Sequence, residues 1–495
     1  MINCKVAGVS GATVAFLRLW SETVQRSPFP IGTAGAQVTV QLKVFISDLD
    51  SQRATMVAKG SAALKPCCFC MNCIARYAGE HCNDPGFRTV EEHDFKTFKQ
   101  YDRQDLENCM LSGLHRVVHM TKAERELRER VLGFNFDLDS IWACPVSRAL
   151  VHVDMIQNDA LHCYWSNGIC NSEIVLLLGR VRKEVGITLP ALQDMCLASE
   201  WRRQNKTEGK HFVRRLFKEH LFGESGFKGS AGDTVALCAL LRWVAESHWL
   251  NVPTLRAAAM CFLRLCRVTD LLRGRLPEET MWLALASEQE EHQRSFAREY
   301  PGCSRPKHHC RLHLPHQYKK HNLACNCWGV ESSHKNYKSL YADSMQQFLQ
   351  RRNGGSEMSR HLLPRMLLRA TELLQERPLL PCGFELQHPF SENEVEDATN
   401  MVNTQISGKC CLEMIDLQEG DYLLYGDGWN KACQIHFFLQ RNNRLYFFVT
   451  SLHLITAKDS FKTFHNKNQK DVVEYTCMTN MHVPAWITAK GNVVT

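Results

Sequence analysis

The chain has 495 residues, of which 44% are hydrophobic and 22% charged, a balance that suits two to four packed domains and excludes a disordered polyelectrolyte. Nowhere do roughly eighteen apolar residues run together, which excludes a membrane-spanning helix. Lys and Arg outnumber Asp and Glu by 59 to 52, giving +7 with neutral histidines, an excess that fits a solvated basic surface as well as a polyanion-binding face.

The opening "MINCKVAGVSGATVAFLRLW" carries one lysine and an apolar run broken by Ser10, Gly11 and Thr13. It reads as the start of a helix rather than a secretory leader. The 23 cysteines are therefore expected as free thiols and some metal ligands, in a nuclear or cytoplasmic protein that is not secreted. In "AQVTVQLKVFISD", Val38, Val40, Leu42 and Val44 alternate with polar residues before Phe45 and Ile46. That pattern predicts a strand with a buried end, delivering Asp48 at its carboxyl edge. Asp48 there is either a group for chemistry or the cap of a helix running to about Ala58.

"KPCCFCMNCIARYAGEHC" sets Cys67, Cys70 and Cys73 at CxxCxxC spacing, with His81 and Cys82 close by. Thiolates so spaced can converge on one tetrahedral Zn²⁺, or stay free; the cluster has no second separated pair to settle it. From Thr121 to Glu376 the pattern is helical. "TKAE" at Thr121–Glu124 is a capping box, "SEIVLLLGRVRKEVG" predicts a helix capped at Ser172, and "VPTLRAAAMCFLRLCRVTDLLRG" predicts a central buried helix. Another helix is expected to begin at Pro277. Past "ERPLLPCGF" the chain turns to short aromatic and β-branched runs, with Asn442-Asn443 as a turn, a small all-β domain.

Polar groups gather at three places. One is Asp48. Another is "NDALH", where a strand-like run to Ile156 leads into Asp159 and His162. The third is "RPKHHCRLHLPHQYKKH" followed by "VESSHKNYK", with His308, His309, His313 and His316, then Glu331, His334, Lys335 and Lys338. On a helix the last four share one face. Carboxylates drawn together from distant positions suit two-metal phosphoryl chemistry, with basic residues along a phosphate backbone. The plainer reading makes Asp159 a cap, His162 a core histidine and the His/Lys segment a solvated, weakly zinc-binding face.

These blocks carry a resemblance. "ISDLDSQRATMVAKGSAALKPCCFCMN", "DALHCYWSNGI", "PKHHCRLHLP" and "VESSHKNYK" resemble, in order and rough spacing over about residues 35 to 350, transposase-like proteins of the plavaka and Kyakuja–Dileera–Zisupton kind. The resemblance implies a mixed α/β, predominantly helical fold, with an RNase H-like core split by a long helical insertion. It implies a DDE transposase acting on double-stranded DNA with two Mg²⁺, open to self-association as a homo-oligomer. Carried over, Asp48 closes the fourth core strand and Glu331 stands on the helix after the insertion. Asp159 and His162 support the site or supply an acid in its place. Lys307, Arg311, Lys319, Lys320, Lys335 and Lys338 line the DNA, with His334 supporting. The first acid of such enzymes lies on a strand upstream of the Asp48 block, where this chain has about forty residues and no aspartate. The expectation is therefore an incomplete core and impaired cleavage, with a non-catalytic binding module or a decayed element product as the alternative.

The domains expected are a partial core at 1–66, a Cys-rich segment at 67–120 and the helical insertion at 121–300. A return to the core at 301–377, a linker at 378–408 and the β domain at 409–495 complete the chain.

Overall fold

The structure is a computed structural model; it describes residues 4–22, 29–31, 36–38, 42–60, 62–75, 86–198, 201–203, 209–273, 278–321 and 327, and strands between 384 and 494. It is mixed α/β and mostly helical. Two compact units divide the chain, one of residues 1–192 and 216–326, the other of 193–215 and 327–495.

In the first unit, helix Cys4–Trp20 contacts helices Leu49–Met56 and Pro145–Leu150. Ser10, which interrupts the apolar run in sequence, is buried: its hydroxyl donates to the Thr55 carbonyl at 2.9 Å and accepts from the Ile141 amide at 3.1 Å. The alternating stretch forms two short strands rather than one. Ala36–Val38 pairs antiparallel with Phe29–Ile31, while Phe45–Ser47 pairs parallel with Ile156–Asn158. Asp48 then caps helix Leu49–Met56. Around these elements Met56, Phe69, Phe98, Met110, Phe134 and Trp142 form one apolar core.

The helical part follows its sequence signals with one correction. Thr121 and Glu124 do make the capping box that opens helix Lys122–Leu132. Helix Ile169–Val185, however, is capped at Gly168 and not at Ser172, which lies inside it. The Asn171 side chain accepts from the Gly168 amide at 2.9 Å, and a Cβ on Gly168 would stand 2.4 Å from the Tyr164 backbone. Close approach, invisible in the local pattern, selects the glycine. Helix Arg256–Arg273 is the buried one expected, packed against Ile169–Val185, Ala231–Ser247 and Glu278–Glu299. Ile174, Leu177 and Val181 are almost wholly withdrawn from water, each contributing about 1.5–3 kcal/mol by burial.

The second unit is built from antiparallel strands. Thr404–Ser407, Lys431–Arg441, Arg444–Ala457 and Phe461–Glu474 lead an eight-stranded sheet, and Phe384–Gln387, Lys409–Leu412 and Ile415–Gln418 make a three-stranded one. The central hairpin closes at the pair Arg441↔Arg444, on either side of Asn442-Asn443. A bulge between Ile435 and Phe437 shifts the inward face from Cys433 and Ile435 to Phe438. Strands at 384–387 and 404–407 fall inside the stretch read as a linker. Strand Trp201–Arg203, from within the stretch read as the insertion, pairs with Trp486–Thr488.

Candidate metal centre

Four buried donors converge in the first unit. Cys67 and Cys70 come from the turn after helix Leu49–Met56. His309 belongs to helix Pro306–Cys310, and His313 to the single turn that joins it to helix Leu314–His321. Their donor atoms all lie within 4.8 Å of one another. His313 Nε2 is 3.4 Å from Cys67 Sγ, 3.5 Å from Cys70 Sγ and 3.2 Å from His309 Nε2. A tetrahedral zinc with Zn–S of about 2.3 Å and Zn–N of about 2.05 Å sets S···N near ~3.6 Å and N···N near ~3.3 Å. The three edges that meet at His313 match that polyhedron. Two thiols and two imidazoles are also the donor set zinc prefers, so the residues fit the ion.

Electrostatics favour the metal-ready forms of Cys67 and His309 and oppose that of Cys70. Burial pushes the Cys67 thiol up, but the Cys70 hydrogen bond and the neighbouring His309 and His313 outweigh it and hold the group well below its usual value. Burial pushes Cys70 up and His309 down. Aromatic rings enclose the imidazoles: Phe98 lies 4.3 Å from His309, and Phe69 and Phe95 lie 4.9 and 5.1 Å from His313, between centroids.

The sequence reading placed two of the four ligands. Cys73, its third, is not in the converging set; it starts the short strand Cys73–Ile74, paired with Arg88–Thr89. His81 lies outside the described residues. The missed signal was HxxxH at His309 and His313, which completes the CxxC across a gap of 246 residues between Cys67 and His313. A separation so long hid the pairing.

The same His-rich segment braces the parallel strands. Gln317 stands where a further strand would: its side chain accepts from the Asn158 amide at 2.9 Å and donates to the Ile156 carbonyl at 3.2 Å. The Asn158 side chain donates to the Cys310 carbonyl at 2.7 Å. The register Ser47↔Asn158 makes Asp48 and Asp159 equivalent in position, each the next residue at its strand's carboxyl end. Asp48 is half-buried, and its carboxylate accepts from the Ser51 amide at 2.7 Å and hydroxyl at 3.0 Å. Asp159 is fully buried; it accepts from the Leu161 and His162 amides at 3.2 Å and meets His162 Nδ1 at 2.5 Å. Both aspartates are helix caps, and Asp159 also orients an imidazole close enough to Asp48 for their charges to interact.

A pair of Mg²⁺ ions needs several uncommitted oxygens. Asp48 and Asp159 are the two expected carboxylates among the described residues, and each of their oxygens already accepts a hydrogen bond. Glu331, His334, Lys335 and Lys338 lie outside the described residues.

Two of the expected DNA-binding cations are turned inward. Arg311 is fully buried and donates to Gln293 Oε1 at 2.7 Å, which overturns its placement on a DNA surface. Lys307 donates to the Ser166 and Asn167 carbonyls at 3.1 and 2.9 Å, and burial pushes its ammonium down. Lys319 and Lys320 are exposed, the first 4.1 Å from the Trp282 ring centre and the second 2.6 Å from Asp154. No helix among the described residues is long and apolar enough to cross a membrane. No family model matches the chain, and no curated protein or solved structure is found similar to it.

Proposed function

We propose that the chain is a transposase-derived protein that keeps a zinc-organised scaffold, binds duplex DNA and has lost strand cleavage. One observation carries this reading: a CxxC and an HxxxH from distant blocks meet on four buried donors with zinc-like edges. Those blocks, "KPCCFCMN" and "PKHHCRLHLP", are among the ones that resemble plavaka and Kyakuja–Dileera–Zisupton transposases. In that reading Phe45–Ser47 and Ile156–Asn158 are neighbouring strands of an RNase H-like core, with Asp48 and Asp159 at its active edge. Their commitment to capping supports binding without cutting.

Of the expected set, Lys319 and Lys320 are the exposed cations among the described residues. An exposed ion pair such as Lys320–Asp154 is worth ~1 kcal/mol or less and yields readily to a phosphate. Two contacts from these lysines contribute about −2 to the log–log salt slope of duplex binding. Fluorescence anisotropy with labelled duplex across a salt series, and a nicking assay with Mg²⁺, test the proposal together. Binding that weakens with salt, without nicking, is expected. Nicking abolished by D48A overturns the loss of cleavage, and absence of binding at low salt overturns the DNA partner.

A further inference from the structure

A second group of residues able to hold a metal lies in the helical part, apart from the centre described above. Glu173 on helix Ile169–Val185, Cys261 on helix Arg256–Arg273 and His292 on helix Glu278–Glu299 are all fully buried, with donor atoms mutually within 4.8 Å. His292 Nε2 lies 2.7 Å from Glu173 Oε2. The Cys261 thiol is hydrogen-bonded to Glu173, while Glu173 Oε1 and His292 Nδ1 are buried with no partner in hydrogen-bond geometry. The hydroxyl of buried Tyr300, near enough to feel the charges of Glu173 and Cys261, also has no partner. A wholly buried carboxylate with an orphaned oxygen carries a desolvation cost that an apolar helix contact does not explain.

We propose that Glu173, Cys261 and His292 form a second metal site, taking a divalent zinc-like cation, with the fourth position open to the Tyr300 hydroxyl or a water. A thiolate, a carboxylate and a neutral imidazole together balance the charge of one divalent ion, and the sulfur and nitrogen donors select zinc over Mg²⁺. Loading releases the Cys261 thiol proton to solvent and replaces the Glu173–His292 hydrogen bond. Around a tetrahedral zinc the oxygen and nitrogen stand about 3.3 Å apart, so the two side chains part by roughly 0.6 Å. The charge of Arg311 acts on both Cys261 and His292 and opposes the incoming cation. This site therefore binds more weakly than the Cys67 centre. The three ligands come from three helices, so a bound ion staples the helical part as the first ion staples the Cys-rich segment.

The test is metal content of the full chain purified with zinc, measured by inductively coupled plasma mass spectrometry. Wild type is expected to hold two equivalents, and C261A and E173Q one each. Metal content in both variants equal to that of wild type overturns the site. Should either variant fail to fold, cobalt-loaded wild type gives the answer. Chelator should remove its thiolate-to-cobalt absorption in two phases, the weaker ion first, and removal in a single phase overturns the proposal. C67S separates the two centres, because it removes the tighter ion and leaves the weaker one.

Discussion

Two places braced by one His-rich segment differ in what their polar groups are doing. At the Cys67 centre, two thiols and two imidazole nitrogens face one another in the interior, at distances that a shared tetrahedral ion would also set. At the carboxyl edge of the parallel strands, Asp48 and Asp159 each accept local bonds that begin a helix. At the first place the side chains converge from distant segments, Cys67 also accepting from the Phe69 amide, whereas at the second each carboxylate serves its own helix start.

The largest expected effect separates them by metal. If zinc is present at roughly 1,000 times its dissociation constant, its linkage contributes about 4 kcal/mol to the first unit. Stripping it with a chelator, or replacing His313 with Asn, should lower the melting temperature by roughly 10 °C. Differential scanning fluorimetry with zinc added back checks this; a melting curve indifferent to chelator would falsify the structural role. Gly168→Ala comes next. Its Cβ meets the Tyr164 backbone, an overpacking cost of about 1–3 kcal/mol that urea unfolding can read.

At the strand edge the effects are smaller. Asp159→Ala removes a buried cap and should cost about 1–2 kcal/mol, whereas Asp159→Asn, which still caps, should cost less. Equal losses in the two variants would show that capping is not what Asp159 does. Asp48 gives the least. Burial pushes its carboxyl up, but the two Ser51 bonds and His162 outweigh it and hold the group below its usual value. Its contribution is therefore complete above the unfolded carboxyl range, near pH 4, and is lost as pH falls through the folded value. The stability gap between wild type and D48N should close between about pH 5 and pH 2; a gap that widens on acidification would reverse the sign.

Much of the helical scaffold was legible because capping and apolar period are local. Thr121 and Glu124 announce their helix within four residues, and the largely apolar run at 256–273 announces a mostly buried one. Gly168 and Gln317 were not legible, since each answers to a backbone that only the fold brings near. The metal centre was half legible for the same reason. Cys67 and Cys70 are neighbours in sequence, but the imidazoles that join them lie beyond the helical part. The basic run at 305–320 misled by composition alone. A helix through a core gives each cation its own surroundings, so Arg311 faces Gln293 while Lys319, eight positions on, remains exposed.

The most direct test of the central claim is zinc K-edge X-ray absorption on C261A, which removes a ligand of the second site and leaves the four Cys67 ligands intact. The account predicts one zinc with sulfur at about 2.3 Å and imidazole nitrogen at about 2.0–2.1 Å, two of each. A sample without zinc, or zinc bound by oxygen and nitrogen alone, would contradict it.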